Sequence, residues 1–309
     1  MVIKADANMH DAAALVRAAR GERMLSVRSF FDEPTNTASH IVHDPVTKRA
    51  AIIDSVLDFD AAAGRISTRS ADALIAYVRA EGLGVDWLLE THAHADHLSA
   101  APYLQKALGG VLAIGRQIIE VQNVFRKIFN AGTEYACDGA EFDRLFDDGD
   151  RFSVGGIEAV ALHVPGHTPA DMAFVIGDAV FCGDTLFMPD YGTARADFPG
   201  GDARQLYRSI RRLLLLPEQT RVFLCHDYKA AGRDVFVWET TIGAQRTANV
   251  HVHRGVDENS FVTMRNARDA TLGMPKLIFP AVQVNMRAGH LPEPESNGTR
   301  YLKIPLDTL

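Results

Sequence analysis

Four metal-binding side chains fall within six residues of the run Thr91-His92-Ala93-His94-Ala95-Asp96-His97, and a run of that kind has no use in an apolar core. The preceding stretch, Val85 to Glu90, reads as a buried strand. The stretch that follows, Leu98 to Leu108, is apolar at helical spacing and stops at Gly109-Gly110. The motif therefore belongs on a strand-to-helix loop. If it starts extended, His92 and His94 point to one side, because alternate residues of an extended chain share a face. A bound metal follows from the side-chain chemistry and this context.

Three later positions repeat the arrangement, each just after an apolar strand. They are His167 in His163-Val164-Pro165-Gly166-His167, Asp184 in Phe181-Cys182-Gly183-Asp184-Thr185, and His226 in Leu224-Cys225-His226-Asp227-Tyr228. Taken singly, each is an ordinary turn residue. The ordered set His-x-His-x-Asp-His, Gly-His, Gly-Asp, His resembles the metallo-β-lactamase superfamily from about Met24 onward. The segments Phe181–Phe187, Gly192–Phe198, His226-Asp227-Tyr228, Glu239–Asn249 and Pro280–Gly289 are similar to those of persulfide dioxygenases, the glyoxalase II-like branch that oxidises glutathione persulfide with O2 to sulfite and glutathione.

That resemblance implies one Fe(II) per chain, held by His92, His167 and Asp184. His94, Asp96, His97 and His226 are then supporting residues. Two histidines and a carboxylate on one face leave iron the open positions that oxygen chemistry needs. The resemblance also places Arg195, Tyr228 and Arg246 near the substrate, with arginine suited to carboxylates by its planar fork. Asp197 and Asp227 are expected to orient neighbouring basic groups. The alternative is a glyoxalase II-like hydrolase of glutathione thioesters, in which the same seven residues bind two zinc ions sharing Asp184. A non-enzymatic metal-bearing binding protein is a more remote alternative, disfavoured by the full ligand set.

The remaining expectations come from bulk properties. The chain has 309 residues, 47% of them hydrophobic, and lacks a Pro/Gly/Ser-rich linker, which argues for one domain over residues 24–309 with a C-terminal extension from about 240. Residues 1–23 precede the resemblance and read as an extension that could be a flexible arm. A net charge of −7 gives no support for nucleic-acid binding, and no run reaches the length of a membrane span. A cytoplasmic enzyme with glutathione persulfide and O2 as partners is expected, with a homodimer as one open arrangement. Cys137, Cys182 and Cys225 are read as reduced thiols, the last two as small buried residues whose side chains point away from the neighbouring ligands. His10, His40, His43, His163, His251, His253 and His290 are not expected to bind metal.

Strands are expected at Met24–Phe30, His40–His43, Ala50–Asp54, Asp86–Leu89, Val111–Ile114, Arg151–Val154, Ile157–His163, Met172–Ile176, Ala179–Cys182 and Arg221–Cys225. Helices are expected at Ser70–Glu81, His97–Ala107, Arg116–Ile128, Ala203–Leu215 and Asn259–Thr271. Such a mixture fits an α/β, αββα sandwich with the metal at one edge of two packed sheets.

Overall fold

The computed structural model describes residues 2–19, 25–132 and 135–308, with side chains from residue 7. In chain order the first elements are α1 (Val2–Ala18), β1 (Ser26–Asp32), β2 (Thr37–His43), β3 (Arg49–Ile53), β4 (Val56–Asp60), β5 (Arg65–Ser67) and α2 (Arg69–Ala80). Next come β6 (Gly84–Leu89), β7 (Leu98–Ser99), α3 (Ala101–Leu108), β8 (Val111–Gly115), α4 (Ile118–Ile128) and β9 (Arg144–Phe146). Then follow β10 (Arg151–Val154), β11 (Ile157–His163), β12 (Met172–Ile176), β13 (Ala179–Phe181), α5 (Ala203–Leu213) and β14 (Arg221–Phe223). The chain closes with β15 (Glu239–Thr241), α6 (Ile242–Ala248), α7 (Glu258–Asp269) and α8 (Ile278–Asn285).

The strands form two mixed sheets, β1-β2-β3-β6-β8-β9 and β10-β11-β12-β13-β14-β15, with a small third sheet β5-β4-β7. Alternation along each strand divides the core into layers. In β11, Ala159 and Ala161 face the space between the sheets, where they meet Ile53, Leu89, Phe146 and Phe174. Val160 and Leu162 face the other way, against α1, α5 and α6. Burial on both faces explains the near-continuous apolar runs of the central strands. Helices α2, α3, α4 and α8 cover the first sheet, so the order of layers is αββα, as the sequence implied.

Local signals set the helix positions. In α2 the buried side chains Ala71, Leu74, Ile75 and Val78 recur at the spacing of one helical face. Helix α5 begins at Asp202, whose carboxylate accepts a hydrogen bond from the Gln205 amide at 2.8 Å.

Three expectations need correction. The helix placed at His97 starts at Ala101, because Leu98 and Ser99 pair with β4 and Pro102 lies in the first turn, where proline is tolerated. The extension, expected as a possible flexible arm, includes a helix whose Met9, Ala12, Ala13, Leu15 and Val16 pack on the second sheet. Short strands β4, β5, β9 and β15 were absent from the sequence reading. The expected start at Met24 lies outside the described residues, and β1 runs from Ser26.

Candidate metal centre

The parallel pairs β3–β6 and β13–β14 bring their C-terminal ends to one edge of the sandwich. Residues leaving those ends, and the loop between β11 and β12, converge there. Two glycines permit the approach. Gly183, at φ +50°, lies so close to Thr91 that a Cβ would come within 2.5 Å of its hydroxyl oxygen. Gly166, at φ +148°, would place one 2.3 Å from the backbone of Leu206. The Gly of each Gly-Asp and Gly-His pair is thus a packing requirement as well as a turn.

Each of five histidines has one ring nitrogen tied and the other left free. The Thr91 hydroxyl donates to Asp54 Oδ2 at 2.9 Å and so accepts from His92 Nδ1 at 3.1 Å, leaving His92 Nε2 bare. His167 Nδ1 donates to the Arg195 carbonyl at 2.9 Å. His226 Nδ1 donates to the Asn36 carbonyl at 3.2 Å. His94 is held the other way round, by Nε2 against Asp54 at 3.1 Å and Glu90 at 3.3 Å, with Nδ1 free. His97 approaches Thr37 and Asp96 through Nδ1, at 3.4 and 3.5 Å, and its Nε2 is free. Fixing one nitrogen sets the tautomer and aims the lone pair of the other.

The freed atoms gather with two carboxylates. Ligand atoms of His92, His167 and Asp184 lie within 4.8 Å of one another, as do those of His94, Asp96, His97 and His226. His226 Nε2 is 3.1 Å from Asp96 Oδ2 and 3.3 Å from Asp184 Oδ1, yet none of the three atoms is aligned for a hydrogen bond. Burying so many unsatisfied polar atoms costs ~1–3 kcal/mol each, and a cation at their common focus removes that cost. The donor set fits a metal.

Electrostatics support this. Burial pushes His92 well below the ordinary histidine range and His167 down to about 4, so both are neutral ligands at pH 7. Burial also lowers His97 and His226. Burial and the Asp96 carboxylate hold the Asp184 carboxyl well above its usual range without a cation. For His94, burial is outweighed by Asp54 and Glu90, which raise it well above its usual range.

His167, Asp184 and Asp96 open into a cavity of about 570 Å³, also lined by Phe187, Tyr191, Arg195, Tyr228 and the tail residues Arg265 to Leu277. The sequence-predicted pocket residues divide here. Tyr228 lines the cavity and stacks on His226 at 5.7 Å. Arg195 lines it too, but its guanidinium is committed to Asp197 at 2.6 and 2.7 Å and to the Gly273 carbonyl. Arg246 does not line the cavity; it sits on α6 and donates to the carbonyls of Leu214 and Leu216 at the end of α5. The reason is helical phase, since Gln245, beside it, takes the inward position and bonds the Phe187 carbonyl.

Sequence reasoning missed several contributors. Asp54, at φ +52°, ties Thr91 and His94 together from the end of β3. Asn285, on α8, donates to the carbonyls of both His94 and His97 at 2.8 Å. Arg268 and Lys276 line the cavity, and among the described residues neither side chain has a carboxylate partner. Cys225 was expected to point away, but the chain bends just beyond β14, so its sulfur lies within 4.8 Å of the ligand atoms of Asp184 and His226.

The metallo-beta-lactamase superfamily model matches residues 33–226, which holds every ligand candidate. The chain belongs to that superfamily. It is 57% identical to a probable metallo-hydrolase of Burkholderia pseudomallei, over 92% of this chain and 100% of that one. It is 46% identical to glyoxylase B2 of Dictyostelium discoideum, over 88% and 94%. Mitochondrial persulfide dioxygenase ETHE1 of Homo sapiens is 29% identical over 85% of this chain and 88% of its own length. The crystal structure of ETHE1 from Myxococcus xanthus superposes with a TM-score of 0.68 at 29% identity, covering 86% of this chain and 100% of that one. Among the described residues no helix is long and apolar enough to cross a membrane.

Proposed function

We propose that this member of the superfamily is a persulfide dioxygenase with one Fe(II) held by His92, His167 and Asp184, acting on glutathione persulfide. The observation that carries this reading is the compact set of two neutral imidazoles and one carboxylate, two of its members facing a cavity large enough for a tripeptide-sized thiol. Iron(II) bound there would supply the one-electron chemistry that ground-state O2 requires. The likeness to ETHE1 over most of both chains supports the choice. In the balanced reaction, persulfide, O2 and water give thiol and sulfite; the terminal sulfur gives up four electrons and O2 accepts them.

The chain's own groups position the substrate. Phe187, Tyr191 and Tyr228 give the cavity an apolar wall that shelters the sulfur end from water. Arg268 and Lys276, which have no acidic partner among the described residues, suit the carboxylates of the glutathione moiety at the mouth. Arg195 supports His167 through its backbone carbonyl and closes the wall beside Phe198.

The second reading is a dinuclear zinc hydrolase of glutathione thioesters, favoured by the complete second cluster and by the glyoxylase relative. Anaerobically iron-loaded protein should consume O2 and form sulfite from glutathione persulfide, whereas zinc-loaded protein should not, because zinc has no redox chemistry. Brisk hydrolysis of S-lactoylglutathione by the zinc form, with no oxygen uptake by the iron form, would overturn the dioxygenase.

A further inference from the structure

Residues 192–197 have no regular secondary structure, yet Gly192, Thr193, Ala194 and Ala196 are buried. A buried irregular segment must find partners for its amides and carbonyls outside itself. Here they come from the C-terminal part of the chain. Asn249 donates to the Gly192 carbonyl at 3.0 Å, and His251 Nδ1 accepts from the Thr193 amide at 3.1 Å. On α7, Arg265 donates to the Thr193 carbonyl at 3.1 Å and Asp269 accepts from the Ala196 amide at 2.9 Å. Arg265 and Asp269 are both buried and are paired with each other at 2.6 and 2.9 Å. These partners all lie beyond residue 226, where the match to the superfamily model ends.

The Ala196 amide and the Arg195 carbonyl are the two ends of one peptide group. That carbonyl accepts from His167 Nδ1 at 2.9 Å, and His167 Nε2 faces Asp184 at 3.7 Å. We infer that Asp269, held by Arg265, is a positioning residue for His167 that acts through the Arg195–Ala196 peptide. Because the peptide is planar, a carboxylate gripping its N–H sets the direction in which its carbonyl points. The same contact polarises the peptide and strengthens the bond that fixes His167 as the Nδ1–H tautomer. Arg265 holds the carboxylate in place and balances its charge. Apolar residues of similar volume would stabilise the fold as well as a buried ion pair does, but they would leave the peptide without its grip. The inference rests on His167 as a metal ligand, which the iron and zinc readings share.

The test uses metal-free protein with isotope-labelled histidine. In the wild type, nitrogen NMR should show His167 wholly as the Nδ1–H tautomer, and the Ala196 amide should exchange with solvent as slowly as the central strands. The double variant Arg265→Met, Asp269→Leu should keep a near-native melting temperature, mix the two His167 tautomers and bind zinc about 10–100-fold more weakly, the loss expected when a ligand loses its orienting partner. Asp269→Asn, which keeps an oxygen for the amide and loses the charge, should fall between the two. Glu258→Gln, which breaks the exposed pairs of α7 with Arg204 and Arg208, should change neither readout. A fast-exchanging Ala196 amide in the wild type, or a folded variant with tautomer and zinc affinity intact, would overturn the inference. Mixed tautomers with unchanged zinc affinity would leave the bracing standing and remove His167 from the ligands, a failure of the metal assignment alone.

Discussion

The two ligand clusters that meet at Asp184 are backed differently. His92, His167 and Asp184 are braced by Thr91 and the Arg195 carbonyl, and His167 and Asp184 face the cavity. His94, Asp96, His97 and His226 are braced by Asp54, Thr37, Asn36 and Asn285, and of these four only Asp96 lines the cavity. In the proposed dioxygenase reading, one cluster meets substrate and the other holds the first in shape. The contrast teaches that donor chemistry alone does not tell two such clusters apart, whereas access to the cavity does.

The sharpest way to break that contrast is to remove ligands from each side. His167→Ala or Asp184→Ala should reduce bound iron and oxygen uptake to background while circular dichroism stays native, since each removes a proposed ligand. His226→Ala should keep most of its iron and lose about 10–100-fold in activity, the range for groups that orient ligands. Equal metal loss in that variant, or two metals per chain in the parent, would erase the distinction.

A smaller effect probes the mouth of the cavity. Arg268→Ala should raise KM for glutathione persulfide about tenfold, or ~1.4 kcal/mol, with little change in kcat, as expected for a contact made equally in ground and transition states. Arg246→Ala should leave KM alone and lower the melting temperature, because its bonds go to the end of α5. Reversal of those two results would restore Arg246 to the substrate site.

A separate effect, away from the ligand set, is in stability against pH. Burial depresses His40 to about 4 from 6.5. Between those values the unfolded chain binds a proton that the folded chain refuses, so stability is full above pH 6.5 and falls as pH drops toward 4. The contribution is ~3 kcal/mol at most. Urea midpoints at pH 7 and 5 should differ less in His40→Gln than in wild type; an unchanged difference would assign the acid sensitivity to other groups.

Much of this was legible in the sequence, for local reasons. Ligands that follow strands within a few residues carry their own signal, and His92, His167, Asp184 and His226 were read from it. The sandwich followed from the mixture of strands and helices together with the family resemblance. What escaped was set by distant packing or by local bends. Asp54 looks like any strand-end aspartate until His94 arrives beside it, 40 residues later. Cys225 was misjudged because strand alternation was extended two residues past Phe223, where the strand ends. Arg246 and Arg268 are both helical arginines, and only the docking of α6 and α7 tells which one meets the cavity.

Asn285 connects the motif loop to the last helix of the chain, 188 residues beyond His97. During synthesis the first histidines leave the ribosome long before that asparagine does. The nascent chain can fold its sheets as they emerge, yet the loop carrying His94 and His97 lacks its brace until α8 is made. The brace on that loop is thus completed later than the sheets that carry the other ligands.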